Sequence, residues 1–249
     1  NRMLKSILWS EWLKIRCYPS IWLMIFLLPL FLTIVGVMNY TTNLHVFEEV
    51  GMVGWMGTWT QVEFLYGMVL CPVLSSVFVA LLCRFEHAYG GWEQLLAFPI
   101  SKNAVYLSKM IWAWSLIGLT NTVLFGYFFV IGKLMGVSGI FPFISVLKLF
   151  FGGWFATLPL IAIQLWLSTR LKNFALPIAI NFAFVMPNVF ISSSKYGKYY
   201  PWSQPAYAMT PENQLGVIQS LQDFYLVVII IFVIFFIIGL FNFVRIEFR

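Results

Sequence analysis

Six stretches of the chain contain no Asp, Glu, Lys or Arg and are dominated by apolar side chains. They are Ser20 to Tyr40, Phe64 to Cys83, Met110 to Ile131, Leu149 to Thr169, Asn173 to Ser193, and Phe224 to Val244. Each is long enough for the ~20 residues that carry an α-helix across a hydrocarbon core of about 30 Å. Apolar and polar residues do not alternate over ten-residue segments, as the strands of a membrane barrel require. The pattern therefore predicts an all-α integral membrane protein, a single domain over residues 1–249 with six transmembrane helices. Ahead of the first window, in the arm 1–19, Leu4, Ile7, Leu8, Trp12 and Ile15 gather on one face at ~100° per residue. This predicts an amphipathic helix lying at the membrane interface.

Composition excludes the soluble alternatives. The hydrophobic fraction is 61%, the charged fraction 10% and the mean hydropathy +0.88, against roughly 45–50% apolar and about 25% charged residues in soluble domains. The net charge of +6 does not point to nucleic acid, because the basic residues punctuate the ends of the apolar windows instead of clustering on one solvated face. Eleven of them (Arg2, Lys5, Lys14, Arg16, Arg84, Lys102, Lys109, Arg170, Lys172, Arg245, Arg249) fall on one side of the predicted membrane. Four (Lys133, Lys148, Lys195, Lys198) fall on the other. The imbalance predicts a multi-pass plasma-membrane protein in contact with lipid headgroups, with both termini in the cytoplasm. Cys17, Cys71 and Cys83 have no metal-ligand spacing, so neither a metal nor a disulfide is expected.

The chemistry missing from the sequence narrows function further. The six windows hold no ionisable acid or base of the kind that ion-coupled carriers place inside helices. There is no G-x-x-x-x-G-K-[ST] phosphate cradle, no H-E-x-x-H and no G-x-S-x-G. His45 and His87 fall on opposite sides of the predicted membrane, and His87 reads as an ordinary polar loop residue. An uphill transporter built this way draws its energy from a partner, and no catalytic residue is assigned.

Three connecting segments are longer than the roughly 4–6 residues usual in compact folds: the arm, the loop from Arg84 to Lys109, and the outer loop from Ser194 to Asp223. In the Arg84–Lys109 loop, Trp92 to Phe98 has the makings of a short helix that Pro99 ends, and Ser101 is placed to cap the run that follows. Such a helix either transmits force to the spans or floats on the lipid surface.

The loop pattern Glu86-x3-Gly90-x2-Glu93-x-Leu95-Leu96-x2-Pro99-x-Ser101-Lys102-x6-Lys109 resembles the first cytoplasmic loop of ABC-2 type transporter permeases. The run Ser10-Glu11-Trp12-Leu13-Lys14 is similar to that family's opening before its first helix. Gly91 stands where the family tends to have Thr, and Lys102 where it tends to have Arg. The resemblance implies a permease without an ATPase site of its own, paired with a second permease, identical or related. Two copies of an ABC ATPase would bind ATP and Mg2+ and receive the coupling helix around Glu86 to Phe98. Size and helix plan also resemble the subunits of bacterial exporters for self-protection against lantibiotics and other antimicrobial peptides. The expected cargo is thus hydrophobic or amphipathic, a peptide or drug. A membrane scaffold or sensor subunit that transports nothing is the alternative.

Two further features carry expectations. Steps of four and seven put Pro177, Asn181 and Asn188 on one face of the fifth window, where the amides either satisfy carbonyls freed by prolines or meet cargo. Tyr200 and Trp202, among the prolines of the outer loop, suit a rigid lid near the headgroups on a substrate path, or an aromatic belt. In the arm, Glu11 falls in the middle of the apolar face, so it needs a cation or donors. The expectation is that Glu11, with Lys14 beside it, pins the arm to the helix ends or the loop, with Arg84 and Lys102 as candidate partners.

Overall fold

The computed structural model describes residues 2–87, 91–92, 100–192, 194, 196–211 and 221–245. Among them every regular element is helical. The amphipathic arm forms α1 (Arg2–Arg16), and Pro19, at the first turn where its missing N–H costs nothing, opens α2 (Pro19–Thr42). After the short α3 (Leu44–Glu49), α4 (Trp55–Leu65) runs through a widened π-helical turn (Tyr66–Leu70) into α5 (Cys71–His87). Pro72 has no N–H to offer the ladder at this point, and the amide of Cys71 bonds back five residues to the carbonyl of Tyr66. Then follow α6 (Lys102–Leu134), α7 (Phe143–Ala156), α8 (Leu158–Arg170), α9 (Ala175–Val185), α10 (Asn188–Ser192), α11 (Gln204–Met209) and α12 (Leu221–Arg245).

Five runs are long and apolar enough to cross a membrane: Pro19–Thr42, Trp55–His87, Lys102–Leu134, Phe143–Arg170 and Leu221–Arg245. The fifth sequence window differs from the reading of one continuous span. It is divided into α9 and α10 at Pro187, which has no N–H to offer the ladder, and the eleven residues of α9 are too few to cross alone. The second, third and fourth runs begin well before their charge-free windows, so Glu63, Lys109 and Lys148 lie inside helices.

The core lies where α2, α4, α5, α6 and α8 meet, around Trp59, Tyr66, Phe78, Tyr106, Ile117 and Phe128. Trp114 and Trp154 stack at 4.3 Å, each indole donating to the other's carbonyl (3.2 and 2.8 Å), which ties α6 to α7. The helices α2 and α12 keep broad faces of Leu, Ile, Val and Phe exposed, as lipid-facing helices do. Residues 201–209, expected at the headgroups, are buried instead. They fold back against α4, the π-helical turn and α7. At the closest approach, a Cβ added to Gly67 would stand 2.9 Å from the Cα of Ala206, so only glycine fits.

Candidate functional site

The arm lies along α6 at one end of the bundle. Trp12 stacks on Trp112 (5.4 Å, 16°) and meets the edge of Trp22, while the Trp112 indole donates to the carbonyl of Leu8 at 3.0 Å. This docking buries Ile7, Glu11 and Ile15, so a carboxylate enters an apolar contact. Two lysines and a second carboxylate meet it there. Lys14 Nζ lies 3.0 Å from Glu11 and 2.6 Å from Glu86, and Lys109 Nζ lies 2.6 Å from Glu86 and 3.4 Å from Glu11. The four charges thus alternate around a closed ring contributed by α1, α5 and α6.

Burial makes the ring consequential. Lys109 is 0% exposed, Glu11 1% and Glu86 3%, while Lys14 at 31% still touches solvent. Isolated charges at such depth cost several kcal/mol each, on the order of what a good partner returns. Here two positive and two negative groups cancel. Lys109 places its three N–H groups on Glu86, Glu11 and the carbonyl of Leu82 (2.7 Å). Its ammonium also sits 5.5 Å from the Trp92 ring. Trp92 donates to His87 Nδ1 at 3.2 Å, so Nε2 of that imidazole carries the proton and donates to the carbonyl of Ser168 at 2.7 Å.

The partners of Glu11 correct the expectation of Arg84 and Lys102. Lys102 starts α6 two turns, ~10 Å, before Lys109, and it donates to the carbonyl of Val244 at the end of α12. Arg84, about 200° around α5 from Glu86, reaches the Tyr18 hydroxyl (3.3 Å) and the Phe174 ring. Ser101 holds the N-cap position of α6 through its backbone carbonyl, and its side chain makes no cap bond. Gly90, Glu93, Leu95, Leu96 and Pro99 lie outside the described residues.

A family model described as "ABC-2 family transporter protein" matches residues 7–188, from the first buried residue of the arm past the end of α9. The chain belongs to the ABC-2 family of transporter proteins. It is therefore the permease component of an ABC transporter, whose family works with a separate ABC ATPase and a permease partner. No curated protein and no solved structure matches the chain.

A second polar cluster of this ABC-2 permease lies deeper in the bundle and is neutral. Asn181 satisfies all four of its hydrogen-bonding positions: its amide donates to the carbonyl of Pro72 (3.1 Å) and to Ser76 (3.0 Å), and its oxygen accepts from Gln164 (2.8 Å) and the Trp202 indole (2.7 Å). Asn188 donates to the carbonyls of Met68 (2.9 Å) and Trp202 (3.0 Å). The Met68 carbonyl is the one that Pro72 leaves without an α-helical donor, so a proline on another helix frees the group that Asn188 takes. Trp202 stacks on Phe184 at 4.7 Å, and Tyr200 donates to the carbonyl of Phe184 at 2.6 Å, closing the end of α9. All four residues first read as a substrate path are engaged in internal bonds.

Sequence reasoning missed Glu63. It is buried in α4 with Thr210 beside its carboxyl group, and among the described residues its Oε1 has no hydrogen-bond partner. The available signal was the string Trp55–Leu65, mostly apolar on both sides of this one acid, which a charge-free window cuts short.

Proposed function

We propose that the chain is the permease half of an ATP-driven exporter in the plasma membrane, with both termini and the Arg84–Lys109 loop in the cytoplasm. Two copies of a partner ATPase hydrolyse ATP with Mg2+, and a second permease, identical or related, completes the path. The cargo is a hydrophobic or amphipathic molecule such as an antimicrobial peptide or drug.

One observation carries this reading: the alternating ring of Glu11, Lys14, Glu86 and Lys109 joins the arm to the two helices that flank the loop. Force applied by an ATPase to the segment around Glu86 to Phe98 reaches α5 and α6 at their linked ends, and the arm moves with them. The eleven-to-four distribution of basic residues supports the orientation.

The test uses the permease co-expressed with its ATPase. Glu93→Lys or Leu95→Asp abolishes transport and weakens ATPase co-purification while insertion is retained, and Glu11→Ala lowers transport. Full transport by both loop variants overturns the coupling. Absence of cargo-stimulated ATP turnover in the reconstituted complex favours a scaffold or sensor instead.

A further inference from the structure

A cavity of about 190 Å³ opens beside the loop-flanking end of α5, between that helix and the α8–α9 connection. Its wall is apolar at Ala80, Leu171, Phe174 and Pro177, and cationic at Arg84 and Lys172. The ion pairs among the described residues are the four contacts of the ring, so Arg84 has no carboxylate there. Its neighbours are the Tyr18 hydroxyl and the Phe174 ring, neither of which neutralises it.

One other feature converges on the same space. Ser168 lines the cavity at 2% exposure, and its hydroxyl has no hydrogen-bond partner among the described residues. The adjacent Thr169 makes the usual bond back to its own helix, at 2.9 Å to the carbonyl of Leu165. A buried hydroxyl without a partner is destabilising, and a ligand accepting a hydrogen bond from it would remove that cost. The α9 N-terminus adds no donor there, because Pro177 has no N–H and the Ala175 N–H is taken by the Asn173 side-chain oxygen at 2.9 Å.

We propose that this cavity binds a phosphate group, held by Arg84, with Lys172 on the same wall and the Ser168 hydroxyl as a further donor. Phosphate fits better than a carboxylate because donors arrive from several directions onto what would be a tetrahedral anion. Two sources carry that chemistry: an anionic phospholipid headgroup, for which the apolar wall and the position at the span ends are suited, or free phosphate. The site does not depend on transport. It adjoins the coupling loop, because His87 lines the cavity while holding the Ser168 carbonyl and accepting from Trp92.

The full-length chain, stripped of lipid in detergent, is offered phosphatidylglycerol or the phosphate-free diacylglycerol, and retained lipid is counted by native mass spectrometry. Phosphatidylglycerol is retained preferentially, and Arg84→Gln lowers that retention about tenfold, the loss expected for a hydrogen bond to a charged group. Lys172→Gln and Ser168→Ala lower it less, and Arg84→Lys keeps most of it. If Arg84→Gln does not fold, the Lys172→Gln and Ser168→Ala variants decide. Displacement of phosphatidylglycerol by inorganic phosphate assigns a site open to the free ion, whereas resistance to it assigns the headgroup; either supports a phosphate site. Equal retention of the two lipids, or wild-type retention by all the variants, overturns the proposal. So does an Arg84→Gln variant that keeps its lipid but releases the ATPase, because the cation then faces a protein.

Discussion

The ring of charges and the amide cluster around Asn181 answer the same difficulty, polar atoms buried among apolar helices, in opposite ways. The ring uses full charges in a balanced set of four, near the end of the bundle, and leaves Lys14 in reach of solvent. The amide cluster uses neutral donors and acceptors, lies deeper, and binds a folded-back segment to α5 and α9. Charges act at longer range than amides and punish the loss of a single member more severely, since the remainder is left unbalanced. The ring's ionic contacts join three elements with less directional demand. A fixed seat suits the amides, whose directional bonds are lost on small displacement.

The sharpest way to break this comparison is Glu86→Ala, which leaves Lys109 fully buried with only the 3.4 Å contacts to Glu11 and the carbonyl of Leu82. A loss of about 3–5 kcal/mol is expected, read from unfolding in detergent. The double variant Glu86→Gln, Lys109→Met removes both charges and recovers part of the loss, so the two costs are not additive. Asn181→Ala comes next, at about 1–3 kcal/mol, because the Trp202 indole and the Gln164 amide lose their acceptor. If it costs as much as Glu86→Ala, the distinction between charged and neutral clusters fails. Lys14→Met has the smallest effect, about 1 kcal/mol, because the vacated position at 31% exposure admits water that offsets the excess negative charge, and Lys109 still faces both acids. A larger loss would place the weight of the ring on its exposed member.

Much of the architecture was legible because lipid leaves a strong imprint on composition. The apolar face of α1 could be read with Glu11 at its centre, since helical periodicity is a local property. The ends of the spans were harder to read. A charge-free window treats every charge as a boundary, but Glu63 and Lys109 are carried inward because protein neighbours replace water around them. The partner of Glu11 was hidden for the same reason: Lys109 counted as a loop residue until α6 was seen to begin at Lys102. The burial of Trp202 could not be read either, because an aromatic loop at the headgroups and one folded back between helices have the same composition. Pro187 stood in plain view as a helix breaker, yet Pro29 sits inside an unbroken α2, so the proline alone does not locate the break.

The widened turn at Tyr66–Leu70 has a consequence for angular phase. In an unbroken α-helix the 23 steps from Glu63 to Glu86 would set the two carboxylates about 140° apart around the axis. A π-helical turn absorbs one residue without advancing the rotation, which reduces the separation to about 40°. Both acids of this span therefore face the interior, one beside Thr210 and the other between two lysines. Tightening the turn into ordinary α-helix at unchanged length would remove no side chain of the ring, yet it would swing one end of the span by ~100° relative to the other. One of the two carboxylates would then point at hydrocarbon.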